Sequence, residues 1–168
     1  MSKITGNTML QSFFVTRYLL DILVDFNTIK LTTYHNLGGR DYSGSIFRNY
    51  KESVEVHSTY YPFKLLSQIF DNKQQPVLIR NDVEEDVIEY KVFNNNILTD
   101  VIILNSSNKT IDFSFDSYEY TSIKSYFSEN LYDKADIYGK LSYEIIKGKL
   151  KDNISKRINP YSLTFIKY

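Results

Sequence analysis

The first long apolar run, "MLQSFFVTRYLLDILVDF" at residues 9–26, has the spacing of a helix rather than a strand. Arg17, Asp21 and Asp25 fall four residues apart and form one narrow polar stripe. Phe13, Phe14, Tyr18, Leu19, Leu20, Ile22, Leu23, Val24 and Phe26 fill most of the remaining circumference. A helix apolar on most sides has to be covered from more than one direction. After the break at Asn27-Thr28, "IKLTTYH" (29–35) alternates and is β-branched, which predicts a strand. It runs into "NLGGRDYSGS", where Gly38, Gly39 and Gly44 mark a long irregular loop. "STYYPFKLLSQIF" then predicts a helix over 60–70. Tyr61, Leu65, Leu66 and Ile69 recur at helical spacing, and Pro62 lies in the first turn, where it is tolerated.

From Pro76 onward the texture changes. "VLIRN", "DVIEYKVFN", "ILTDVIILN", "TIDFSF" and "YEYTSIKSYF" are short apolar or alternating runs. Turn chemistry separates them at Asn81-Asp82, Asn94-Asn95-Asn96, Asn105-Ser106-Ser107-Asn108 and Asp116-Ser117. A last strand, "NPYSLTFIKY", is introduced by Pro160. This spacing predicts an antiparallel sandwich. The expected division is a helix-strand-helix front, residues 1–71, and a β-sandwich, residues 72–168, with the boundary near "DNKQQP" (71–76).

Composition narrows the function classes. Tyr and Phe number 15 and 11, an aromatic excess that fits half-buried strands. Twenty basic residues balance twenty acidic ones without long runs of either sign, so the basic footprint of a nucleic-acid or anionic-membrane binder is missing. Cysteine is absent, which removes disulfides, thiolate metal sites and thiol nucleophiles. The charges at Arg17, Asp21 and Asp25 argue against a membrane span at 9–26. The N-terminus lacks the regions of a signal peptide, so a cytoplasmic location is expected, unless an export signal stood on a missing preceding part.

The order helix, strand with a Gly-rich loop, helix and sandwich resembles the last part of a (β/α)₈ barrel followed by its C-terminal β-sandwich. "STYYPFKLLSQIF" resembles the final barrel helix of retaining glycoside hydrolases of the α-L-arabinofuranosidase type. "VIILNSSNKTIDFSF" is similar to their sandwich hairpin, and "INPYSLTFIKY" to their closing strand. The related heparanase and β-glucuronidase group shares the layout. The resemblance implies an α+β chain: the tail of a barrel (helix 9–26, strand 29–35, helix 60–70) and then an antiparallel sandwich.

It also implies that the catalytic chemistry is missing. These enzymes use two glutamates, at the ends of the fourth and seventh barrel strands, with carboxyl groups roughly 5 Å apart. The first glutamate here is Glu52, in the loop beyond the expected eighth strand, so neither catalytic position exists. Barrel sites gather at the C-terminal ends of strands, here Tyr34, His35 and Asn36. The residue preceding the Thr/Ser-x-Tyr-Tyr-Pro stretch is in that family a glutamine that touches the sugar. His57 stands there instead. Tyr34, His35, Asn36 and His57 are therefore the candidate substrate-binding residues, read against the plainer alternative of ordinary strand-end and loop residues.

Other constellations carry less. Two histidines in separate segments make no metal site, and no cofactor is expected. "NDVEED" (81–86) lacks the ligand alternation and glycine of a calcium loop. "LGGR" lacks the Lys-Ser/Thr of a phosphate loop, and Ser43, Ser45 and His57 lack a nucleophile elbow. Two functions remain: the C-terminal fragment or subunit of a glycoside hydrolase, inactive alone, or a stand-alone carbohydrate-binding or protein-interaction module. The expected partner is a separately encoded N-terminal barrel half, or a second copy meeting through helix 9–26.

Overall fold

The computed structural model describes residues 8–25, 38–39, 46–50, 53–69, 76–114, 120–133, 142–147 and 155–168. The expected strand 29–35 lies outside these residues.

Helix α1 spans Met9–Val24. Thr8, in extended conformation, caps it: its hydroxyl accepts the Gln11 N–H at 3.4 Å, satisfying one of the free donors of the first turn. The helix closes with the Asp25 N–H on the Asp21 carbonyl. Helix α2 spans Tyr60–Ile69, with Pro62 in its first turn, where no intrahelical donor is lost. Between the helices lie β1 (Gly38–Gly39), β2 (Phe47–Tyr50) and β3 (Ser53–Val56). β1 runs parallel to β2, and β2 pairs antiparallel with β3. The sequence did not announce the β2–β3 hairpin. "FRNYKESVEV" alternates only in part, and Lys51-Glu52 is not the Asn-Gly or Asp-Gly pair that marks tight hairpins.

From Val77 onward the described strands pair antiparallel. β4 (Val77–Glu84), β5 (Val87–Asn94) and β6 (Ile97–Asn105) form a meander. β7 (Ile111–Ser114), β8 (Ser122–Phe127), β9 (Ser142–Lys147), β10 (Ser155–Ile158) and β11 (Ser162–Lys167) follow. Six strands join in the order β4-β5-β6-β11-β8-β9, while β10 and β7 make a two-stranded ribbon. At the β5–β6 turn Asn95 and Asn96 hold φ of 52° and 62°, the left-handed pair of a tight hairpin, in a residue type that tolerates it.

Both faces of the large sheet carry buried apolar side chains. On one face Leu78, Tyr90, Ile102, Leu104, Leu163 and Phe165 pack with Met9, Phe13 and Leu20 of α1 and with Leu65, Leu66 and Ile69 of α2. Tyr61 of α2 reaches Tyr126 of β8, ring centroids 4.3 Å apart. On the other face Val87, Val101, Ile103, Ile123 and Ile166 pack with Ile158 of the ribbon. The result is an α+β arrangement of two helices and mostly antiparallel sheet among the described residues.

Two polar turns are tied together at one end of the sheet. Asn105 is fully buried, and its amide donates to the carbonyls of Lys109 (2.8 Å) and Asn159 (2.9 Å). Its Oδ1 accepts from the Ser107 N–H and hydroxyl. Tyr161, at φ 44°, donates its N–H to the Ser107 carbonyl. The "LNSSN" and "NPYS" turns thus satisfy each other's buried polar groups, which an asparagine with both amide ends in use does well.

Asp100 of β6 stands opposite Lys167 of β11. Burial raises its carboxyl above the usual value of 3.8, against the pull of Thr99 and Lys167 in the other direction. A carboxyl whose folded pKa exceeds its unfolded one supports folding only while protonated, and that support is lost as pH rises through the folded value. Asp100→Asn should therefore raise the urea midpoint at neutral pH, and the gain should vanish below the unfolded value. A gain that persists undiminished into acid would show that the charge is not its cause.

Candidate functional site

His57 follows β3 and opens the tight connection into α2. Its N–H donates to the Ile46 carbonyl and its own carbonyl accepts the Tyr60 N–H, each at 3.0 Å. The residue is buried, together with its neighbours Ser58 and Thr59. The first half of α1 has an unexpectedly polar buried side, for its cap Thr8 and Gln11, Ser12 and Thr16 are buried as well. The Ser12 hydroxyl donates to the Ser58 carbonyl at 2.8 Å, and the Thr16 hydroxyl to the Ser12 carbonyl at 2.7 Å. Small hydroxyl side chains let α1 and this connection approach while keeping their backbone groups bonded. Large apolar residues dominate the pattern of this segment. The spacing of Thr8, Ser12 and Thr16, one helical face, was the available signal.

Tyr34, His35 and Asn36 lie outside the described residues, so of the candidate substrate-binding set the structure places His57 alone. Among the described residues no group of three or more His, Cys, Asp or Glu side chains is placed to hold a metal ion. No helix among them is long and apolar enough to cross a membrane.

A second feature was not legible in the sequence. Between α1 and the sheet opens a cavity of about 240 Å³. Phe13, Ile88 and Leu104, all buried, form its depth. Phe14 and Arg17 on α1 and Glu85 and Asp86 at the β4–β5 turn stand at its mouth. Glycoside hydrolysis needs two carboxylates flanking the scissile bond. Glu85 and Asp86 are consecutive residues of one tight turn, so they do not bracket a sugar from two sides.

Further along α1, Asp21 turns toward the sheet rather than standing in a solvent stripe. Its Oδ1 accepts from the Tyr90 hydroxyl at 2.7 Å, and its carboxylate takes two bonds from one Arg80 nitrogen at 3.1 and 3.2 Å. Arg80 and Tyr90 are cross-strand partners on β4 and β5, so register alone aims both at the helix. Tyr90 has no exposure to solvent, and its hydroxyl is held well above the usual phenol range, first by burial and then by its bond to Asp21. Arg80 also binds Asp82 at 2.9 Å. This charged cluster is a clasp between helix and sheet.

No protein-family model and no curated protein matches the sequence. Solved structures do match in fold. The arabinose-bound α-L-arabinofuranosidase MgGH51 superposes with a TM-score of 0.73 at 8% identity, over 97% of this chain and 28% of that one. The thermostable GH51 α-L-arabinofuranosidase of Thermotoga petrophila gives 0.64 at 12% identity, over 99% of this chain and 40% of that one. A 4-O-α-L-rhamnosyl-β-D-glucuronidase of Fusarium oxysporum gives 0.64 at 11% identity, over 100% of this chain and 40% of that one. The fold is glycoside-hydrolase-like, and the chain spans between 28% and 40% of the length of these three proteins.

Proposed function

We propose that this chain is the C-terminal, sheet-bearing part of a glycoside-hydrolase-like protein and does not itself carry the catalytic step. The observation behind this reading is the extent of the fold match: nearly all of this chain falls on a minor share of each enzyme. The order of motifs supports it, from "STYYPFKLLSQIF" through "VIILNSSNKT" to "NPYSLTFIKY". On this reading the helix-strand-helix front is the tail of a barrel. The acid/base and nucleophile belong to the barrel part that these residues do not include. Tyr34, His35 and Asn36 are the positions from which this part meets a sugar, and His57 shapes that end of the site from within the polar seam.

Turnover tests the reading directly. Aryl arabinofuranosides, xylosides, glucosides and glucuronides incubated with the purified chain should be hydrolysed no faster than in buffer. A robust activity lost on Glu52→Gln, Glu55→Gln or Asp41→Asn would overturn it, because the chain would then carry its own carboxylate chemistry.

A further inference from the structure

We propose that the outer ridge of α1 is the docking surface for a second copy of this chain, arranged about a two-fold axis. The argument is separate from the glycosidase reading and rests on self-complementarity. A two-fold interface uses one patch twice, so that patch must contain both a projection and the hollow that receives it, and both signs of charge. This one does. Phe14 and Tyr18, one turn apart on α1, are 64% and 55% exposed, an aromatic ridge on a helix whose other large apolar side chains, Val24 apart, are buried or half-buried. Beside the ridge opens the apolar cavity of about 240 Å³. An apolar cavity of about 150 Å³ is enough to take a benzene ring, so this hollow has the volume for the Phe14 ring of a partner.

The rim completes the match. Arg17 stands on the helix side of the cavity, and Glu85 and Asp86 on the turn side. When the Phe14 ring of one copy enters the cavity of the other, a two-fold axis between the two helices brings each Arg17 toward the opposite acidic turn. Arg17 pairs with Asp21 on its own helix at 3.6 Å, and its side chain is 56% open to water, within reach of a partner. Aromatic side chains and arginine around a mostly apolar hollow are the composition from which binding hot spots are built. With 20 basic and 20 acidic residues, two copies also meet without net repulsion.

Sedimentation velocity and light scattering on the full chain, over a wide concentration range, should show a reversible dimer. Phe14→Asp and Arg17→Glu should each weaken association by about tenfold or more, the equivalent of losing one hot-spot contact. Both side chains are exposed, so near-ultraviolet dichroism and the thermal midpoint of the dilute monomer should stay at the wild-type values. The decisive variant combines Arg17→Glu with Glu85→Lys and Asp86→Lys, which restores opposite charges across the axis and should recover most of the lost affinity. A wild-type chain that stays monomeric throughout overturns the proposal and assigns the ridge to another occupant. So does a dimer indifferent to Phe14→Asp, or one that the charge reversal fails to rescue.

Discussion

Replacing Ile102 or Ile103 by alanine should destabilise the chain by about 2–5 kcal/mol in each case, and replacing both should leave it unfolded at room temperature. The two residues are neighbours on β6, fully buried, and face opposite ways. Ile102 packs in the cluster that joins the sheet to α1 and α2, and Ile103 in the cluster beneath the β10–β7 ribbon. Each truncation removes most of an aliphatic side chain from a packed layer and leaves a cavity that the opposing elements only partly fill. Urea unfolding at one protein concentration should show lower midpoints with unchanged slopes, since the surface exposed on unfolding barely alters. Ile97→Ala, on the same strand but 67% exposed, is the control and should move stability by no more than about 0.5 kcal/mol. The informative failure is asymmetry. If Ile103→Ala behaved like the control while Ile102→Ala cost several kcal/mol, the ribbon would not be covering its face of the sheet in solution.

That strand also shows what sequence patterning conveys. "VIIL" at 101–104 has no polar alternation, and a run buried on both faces needs none. The turns were legible in part: Asn95-Asn96 at the β5–β6 hairpin and the Asn105 turn follow from side chains that tolerate left-handed backbone or bond to it, whereas Asn81-Asp82, read as a turn, lies inside β4 and the chain reverses at Glu85-Asp86. Helix α1 was legible in position but not in rotation. With apolar residues on most sides, its hydrophobic pattern barely favours one azimuth over another. Arg17, Asp21 and Asp25 read as the polar stripe. The structure buries Ser12 and Thr16, turns Asp21 toward Tyr90, and leaves Phe14 and Tyr18 outside. What decides the rotation is a pair of residues about sixty to seventy positions away, Arg80 and Tyr90, and their shared orientation exists only once β4 and β5 are in register. The candidate site shows the same limit. Local wording marked His57, but its polar surroundings come from a helix more than forty residues earlier.

The clasp that sets this rotation should be worth more than its surface position implies. Asp21→Ala should cost about 2–3 kcal/mol and Tyr90→Phe about 1 kcal/mol. The Arg80–Asp21 ion pair, with side chains 28% and 36% exposed, contributes little on its own account. The larger part is the Tyr90 hydroxyl, which lies on a fully buried residue and loses its acceptor when Asp21 is truncated. Truncating the acceptor strands a buried donor, whereas Tyr90→Phe removes donor and demand together, so the two losses should differ in that order. In the double variant the losses should fall short of additivity, with a coupling of about 0.5–3 kcal/mol between the two positions. Amide exchange in α1 should quicken in Asp21→Ala before exchange in β6 does, because the clasp holds the helix and not the sheet centre. The raised Tyr90 pKa fixes the response to alkali: its contribution is complete below the unfolded value of 10.0 and declines as pH rises above it, when the unfolded chain ionises first. Tyr90→Phe should accordingly flatten the loss of stability above about pH 10, where the wild type declines more steeply. An Asp21→Ala chain as stable as wild type, with α1 exchanging no faster, would mean that apolar packing alone seats the helix and that the clasp merely decorates its edge.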